Sequence, residues 1–262
     1  MYEFHGDKRR YFEMQVENTR NYVIPFIEKY IVIKNQRVLE IGCGEAGVLK
    51  AFIDKGCTGV GVELEESRLV YARQWLADEL KDSKVFFLSK DIYNVDPQQE
   101  FGGRFDIIIL KDVIEHIHDQ KKLIGWMKGF LNPGGVIFFG FPPWQMPFGG
   151  HQQLFGSKVL SKIPYTHLLP SPLYKALLKS FKEDVAAFME VKETGISIER
   201  FERIVKETGF NVVNKIHYFL NPIYEYKFKV KAKKQTPLIS HIPYVRDFFT
   251  TCVYYLITPT KE

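Results

Sequence analysis

The stretch Glu40-Ile41-Gly42-Cys43-Gly44-Glu45-Ala46-Gly47 decides the fold. Just before it, Arg37-Val38-Leu39-Glu40-Ile41 is a short apolar run of the kind that forms a buried strand. Just after it, Gly47 to Asp54 reads as a helix. Glycines between a strand and a helix let the backbone turn sharply. They also let a ligand approach the main-chain N–H groups at the helix start. The letters match G-x-G-x-x-G, but that pattern alone does not choose among ligands that use such turns.

Working outward, the same rhythm repeats. Gly59 to Leu64 reads as a second strand, Glu66 to Leu80 as a helix, Lys84 to Leu88 and Phe105 to Leu110 as strands. Gln120 to Phe130 reads as a helix, Asn132-Pro133-Gly134-Gly135 as a turn and Val136 to Phe141 as a fifth strand. Strands alternating with helices imply right-handed crossovers and a mostly parallel sheet covered on both faces, an α/β three-layer sandwich of the Rossmann-like type. Upstream, Tyr11 to Tyr30 reads as a helix that Pro25 kinks or splits.

After Phe141 the rhythm breaks at Pro142-Pro143-Trp144-Gln145-Met146-Pro147-Phe148-Gly149-Gly150. Residues 142–195, with a helix over Pro172 to Glu190, therefore read as an insert after strand five. A helix over Ser197 to Thr208, closed by Gly209, follows, then strands at Val212 to Leu220 and Phe248 to Ile257. Tyr224 to Ala232 alternates apolar and charged residues like an edge strand. The expected layout is one domain: a helical cap (1–34), a binding core (35–141), a lid insert (142–195) and a closing helix with strands (196–262).

Composition sets bounds on this picture. The chain has 262 residues, 45% apolar and 26% charged, as ordinary globular domains do. Its apolar runs, such as Ile107 to Leu110, fall far short of the roughly 18 residues a membrane span needs, so no span is expected. Met1 to Arg10 is polar, with no signal-peptide core behind it. Cys43, Cys57 and Cys252 form no C-x-x-C pair and are odd in number, so they read as reduced thiols in a cytoplasmic protein. The net charge of +5 owes much to Lys227, Lys229, Lys231, Lys233 and Lys234. That run reads as a solvated face rather than a nucleic-acid footprint, which needs a denser cluster interleaved with stacking aromatics.

Two acids narrow the ligand. Glu40 lies at the end of a buried strand, where a carboxylate needs a cation or several donors. It would repel the pyrophosphate of a dinucleotide and attract the ammonium of S-adenosylmethionine; backbone N–H groups satisfying it is the competing reading. Glu63 ends the second strand, 21 residues after Gly42, where a carboxylate accepts both ribose hydroxyls of an adenosine. Leu64 beside it would pack on the adenine, with Ile92 on the other face and Asp91 accepting from the adenine amino group. Asp91 also suits a turn cap. Gly42, Cys43 and Gly44 supply the backbone of the turn.

The segments VLEIGCGEAG (38–47), GVGVE (59–63), SKDI (89–92), FDIIILKDVIEH (105–116) and LNPGGVIFF (131–139) together resemble the class I S-adenosylmethionine-dependent methyltransferases. The likeness is greatest to the small-molecule branch with the ubiquinone and menaquinone methyltransferases, and it spans about residues 35–142. It implies a seven-stranded sheet with an antiparallel last strand and S-adenosylmethionine at the carboxyl ends of the first strands. One departure stands out: Ala46 occupies the third small position of E-x-G-x-G-x-G, with Gly47 beside it.

Methyl transfer is an in-line displacement that mainly requires the acceptor to be held roughly 3 Å from the methyl carbon. A base is needed only where the acceptor must lose a proton. The loop from Lys111 to Asp119 would face the cofactor, with Lys111 meeting it through its backbone and His116 able to act as base. Asp112, Glu115 and His116 are spaced to share a helical face, and a similar pattern in quinone-forming O-methyltransferases has been associated with a divalent metal. Ordinary hydrogen bonding of Glu115 and His116 to neighbouring segments is the competing reading, and no metal is assigned. In the next loop Trp144, Met146 and Phe148 offer an apolar wall, and His151 follows two glycines that allow movement, as a second catalytic candidate. Phe155, Tyr165 and Tyr174 read equally as a lid or as core. The Asn/Asp-Pro-Pro-aromatic tetrapeptide of amine methylation is replaced here by Leu110-Lys111-Asp112-Val113. The reading is therefore transfer to a small, apolar or aromatic acceptor at oxygen. RNA or protein methylation, a cofactor-binding protein without activity and an NAD-dependent oxidoreductase are the alternatives.

Overall fold

The computed structural model describes residues 7–260. Eight strands, β1 (Arg37–Ile41), β2 (Thr58–Glu63), β3 (Val85–Ser89), β4 (Phe105–Lys111), β5 (Leu131–Phe141), β6 (Phe210–Leu220), β7 (Lys233–Lys234) and β8 (Cys252–Pro259), form one sheet in the order β3-β2-β1-β4-β5-β8-β6-β7. The first five are mutually parallel. β8 runs antiparallel to both of its neighbours, β5 and β6. The expected antiparallel last strand is thus present, but the sheet has eight strands, because a two-residue strand, β7, pairs with the edge of β6.

The helices are α1 (Lys8–Asn18), α2 (Ile24–Ile27), α3 (Gly47–Ile53), α4 (Glu66–Trp75), α5 (Ala77–Lys81), α6 (Pro97–Phe101), α7 (Gln120–Met127), α8 (Ser171–Ser180), α9 (Val185–Thr194), α10 (Ile198–Glu207), α11 (Ile223–Phe228), α12 (Pro237–Ser240) and α13 (Val245–Phe248). Apolar residues on one sheet face pack with α1 to α4, and those on the other with α7 and α10, giving two cores separated by the sheet. Continuous burial along Ile107 to Leu110 and Val136 to Phe141 reflects cover on both faces.

Local chemistry explains where elements stop. The first helix passes through a π turn, Thr19–Val23, immediately before Pro25, and Ile24 N–H reaches back to Thr19 O. The wider turn accommodates a ring that would strike the carbonyl of an α-helix. The helix expected over Pro172 to Glu190 is two, α8 and α9. Lys182 between them has φ +57°, and the Asp184 carboxylate accepts from Ala187 N–H to start α9. Tyr224 to Ala232 is not a strand; its first part is α11, and Phe248 ends α13 before β8 begins. Ser197 caps α10 and Gly209, at φ +74°, follows its end as expected. The insert has its own small core, in which Phe155 and Tyr174 are fully buried with Leu160 and Leu178. Tyr165 instead lies half-exposed against Phe248.

Phe201 on α10 packs its ring 4.9 Å from those of Phe139, Phe141 and Tyr255. Phe201→Ala will cost about 3–5 kcal/mol, read as a lowered urea midpoint at unchanged slope.

Candidate functional site

The turn after β1 is tied down at both ends. Gly42 N–H and Cys43 N–H both donate to Val62 O, at 2.8 and 3.2 Å, and Ala46 N–H donates to Cys43 O at 2.7 Å. Gly42 and Gly44 have φ of +69° and +51°, and a Cβ at Gly42 would lie 2.7 Å from Val113 Cγ2. Ala46 itself stands in the left-handed region at φ +63°, a conformation that costs an alanine energy where glycine would adopt it freely.

Three carboxylates surround this turn. Glu40 is buried, and its Oε2 accepts from Leu49 N–H at 3.0 Å. Burial pushes its pKa up to about 8, against the pull of the Leu49 bond and the Lys111 ammonium. The reading of Glu40 as a carboxylate met by backbone N–H is thus realised for one oxygen. Glu63, also buried, accepts from Gly44 N–H at 2.9 Å through Oε2, and from Leu64 and Glu65 N–H at 2.9 and 3.2 Å through Oε1. The Arg68 guanidinium, reaching from α4, lies 3.3 Å from Glu45 and 3.6 Å from Glu63. It rests across Gly44, where a Cβ would come within 2.4 Å of Nη2. An acid-lined turn that draws in a cation suits a positively charged ligand and opposes a pyrophosphate.

The other expected contacts lie at the same edge of the sheet. Leu64, at the end of β2, is 71% exposed, an apolar side chain free to cover a flat ring. Ile92 is buried. Asp91 Oδ1 accepts from Tyr93 N–H at 2.9 Å, so it caps the short turn Ile92–Asn94. Lys111 buries its side chain and places Nζ 2.7 Å from Asp112 Oδ2.

Beside the turn opens a cavity of about 720 Å³. His116 and His151, 35 positions apart in the chain, meet in its wall with ring centroids 5.0 Å apart. Burial lowers both imidazole pKa values, His151 to about 4, with His116 also disfavouring its charge. Both rings are therefore neutral at pH 7, each with a nitrogen lone pair available, and the same lowering makes them weaker bases than a free imidazole. Asp112, Glu115 and His116 do not share a helical face. Asp112 has φ +57° and pairs with Lys111, and the residues after it form only a three-residue turn, Ile114–His116. The donor atoms that do converge are those of Glu115, His116 and His151, within 4.8 Å of one another, a set able to hold a metal ion. Glu115 Oε2 is buried with no hydrogen-bond partner.

Met146 and Phe148 line the cavity as expected, whereas Trp144 packs edge-on against His167. Gly149 and Gly150 are not a hinge. They are buried, and a Cβ on either would come within 2.2 Å of Trp144 O or 2.3 Å of His167 Cβ, so their smallness serves close packing. The sequence reading missed Tyr11, Tyr224 and Lys227, which also line the cavity. Lys227 sits over the Tyr11 ring, 5.4 Å from its centroid, and burial lowers its pKa. Tyr224 and Lys227 are one helical turn apart on α11, a signal hidden by reading that stretch as a strand.

Residues 16–215 match the profile of a methyltransferase-domain family. The ubiquinone biosynthesis O-methyltransferase of Coxiella burnetii is 28% identical over 116 residues, 44% of this chain and 47% of that protein. That of Thiobacillus denitrificans is 27% identical over 107 residues, 41% and 44% of the two chains. The matched region thus spans about half the length of these curated relatives. Among solved structures, an S-adenosylmethionine-dependent methyltransferase from Clostridium acetobutylicum superposes with TM-score 0.58 at 14% identity, covering 94% of this chain and 92% of the other. Magnesium protoporphyrin IX methyltransferase from Synechocystis, solved with bound SAH, gives 0.57 at 13% identity over 99% and 89%. These likenesses are of fold.

Because His151 is held neutral by the fold, its unfolded form takes up a proton near pH 6.5 and its folded form only near pH 4. Its stabilising contribution is therefore whole above the upper value and lost as pH falls through that window. The His151 ring resonances will titrate near pH 4, and His151→Gln will flatten the acid side of the stability curve between those limits.

Proposed function

The chain belongs to the methyltransferase-domain family, and on that premise we propose that it moves a methyl group from S-adenosylmethionine to an oxygen of a small, apolar or aromatic acceptor. The observation that carries this reading is the glycine turn set between the buried carboxylates Glu40 and Glu63 beside the histidine-walled cavity. The oxygen-methylating relatives favour oxygen as the acceptor atom.

The cofactor supplies a methyl group already activated on a sulfonium. Glu63 takes its ribose hydroxyls, Gly42, Cys43 and Gly44 give it a close backbone wall, and Glu40 and Lys111 border its methionine end. Leu64 and Ile92 flank the adenine, with Asp91 beside the amino group. Met146, Phe148 and Tyr224 hold the apolar part of the acceptor. His116 or His151 would stand as the group that takes the proton of an acceptor hydroxyl, and the bound cofactor would supply the methyl group that the oxygen receives, leaving as its thioether.

Calorimetry with S-adenosylhomocysteine tests the cofactor half. Glu63→Ala and Glu40→Gln will each weaken binding at least about tenfold, the loss of one charge-assisted contact, and unchanged affinity in both would overturn the assignment. With phenolic acceptors, His116→Ala or His151→Ala will lower kcat by about 10²–10⁴ if that ring is the base, at unaltered cofactor affinity.

A further inference from the structure

The exposed apolar side chains are unevenly spread. Of twenty-four large ones among the described residues, sixteen fall in two segments, 151–182 and 219–249, which make up less than a quarter of the chain. They include Val159 at 66% exposure and Leu238 at 78%, well beyond what scattered surface residues need explain. Charge is concentrated in the same place. The two segments hold eleven Lys and Arg against two acids, while the rest of the chain carries four more acids than bases. Both acids are engaged: Asp247 is buried and accepts from Ile198 N–H, and Glu225 accepts from Tyr22 Oη.

The segments also meet. Tyr165 Oη donates to Phe248 O at 3.3 Å, with the two rings packed together. Both reach the cavity, the first through Leu154 and Lys162, the second through Asn221 and Tyr224. No helix among the described residues is long and apolar enough to cross a membrane. Aliphatic tips interleaved with lysines are what an interfacial surface presents to anionic lipid: the tips enter the headgroup region and the ammonium groups meet its charge. A single-stranded nucleic acid would instead select stacking rings and free guanidinium groups. Here the segments' one arginine, Arg246, is bound to Glu199 and Glu202, and nine of the sixteen exposed side chains, Val159, Ile163, Leu173, Leu238 and Ile242 among them, are aliphatic, the other seven being Phe or Tyr.

We propose that these two segments form a docking face for an anionic lipid–water interface, set at the cavity mouth so that a lipid-borne acceptor enters from the bilayer. Docking itself stands apart from the methyl-transfer reading; only the delivery of an acceptor rests on it.

The test is sedimentation of the full chain with vesicles of phosphatidylcholine, alone or containing phosphatidylglycerol, at low and raised salt. Binding is expected on the anionic vesicles, weakened by salt. Joint Val159→Asp and Leu238→Asp, at exposed positions outside the cavity wall, will cut it by about tenfold or more, and charge reversal at Lys231, Lys233 and Lys234 will do the same. S-adenosylhomocysteine affinity, measured alongside, will stay constant in both variants, so failure of cofactor binding and failure of docking are read separately. Absence of binding to anionic vesicles, or binding indifferent to the two aspartates, overturns the proposal. So does salt-sensitive RNA binding, or self-association through these segments, without vesicle binding.

Discussion

Two carboxylates at the carboxyl edge of a parallel sheet hold the site's shape before any ligand arrives. Glu40 lies on β1 between β2 and β4, where bulk water cannot reach it. It must find a donor, and the donor it takes is Leu49 N–H at the start of α3. Glu63 makes the matching bond from β2 to Gly44 N–H. Together they fix the helix start and the bend of the turn relative to two strands. An alanine held at φ +63° in that turn shows that the surroundings impose the bend, not the glycines alone. With a pKa near 8 Glu40 rests protonated at pH 7, and a cation bound beside it would favour its ionised form; Arg68 already lies across the same turn.

How much of this could be read from the residues follows from how local each feature is. The β1 run, the glycine turn, Glu63 at a strand end and Gly209 after a helix are set by neighbours a few positions away, and each is found where its pattern placed it. The meeting of His116 with His151 depends on two separate loops folding onto each other. Tyr11 and Lys227 come from the first helix and from α11, over two hundred positions apart, and no short-range pattern pairs them. Where periodicity misled, the cause was also local. The alternation from Tyr224 onward looks like a strand, yet residues 224–232 join no strand of the sheet and the first part folds as α11. Gly149 and Gly150 looked mobile because composition carries no record of the Trp144 backbone and His167 ring packed against them.

Two of the residues with positive φ lie in the cavity wall. Asp112, the first residue after β4, and His151, in the loop after β5, are both non-glycine residues at φ +57°. Neither backbone would choose that region unaided. Asp112 is held there by its N–H bond to Gly140 O and its pairing with Lys111. His151 is held by its N–H bond to Phe148 O and by the packed glycines before it. Both side chains line the cavity.

The order of strands carries a consequence for synthesis. β8 lies inside the sheet, and β6 with β7 joins the parallel half only through it. On a ribosome, β1 to β5 can pair as they emerge, but the edge of β5 and the whole β6–β7 ribbon stay open until residues 252–259 have been made. During that interval an unpaired apolar strand edge is exposed, the circumstance in which chaperones are recruited and neighbouring nascent chains mispair.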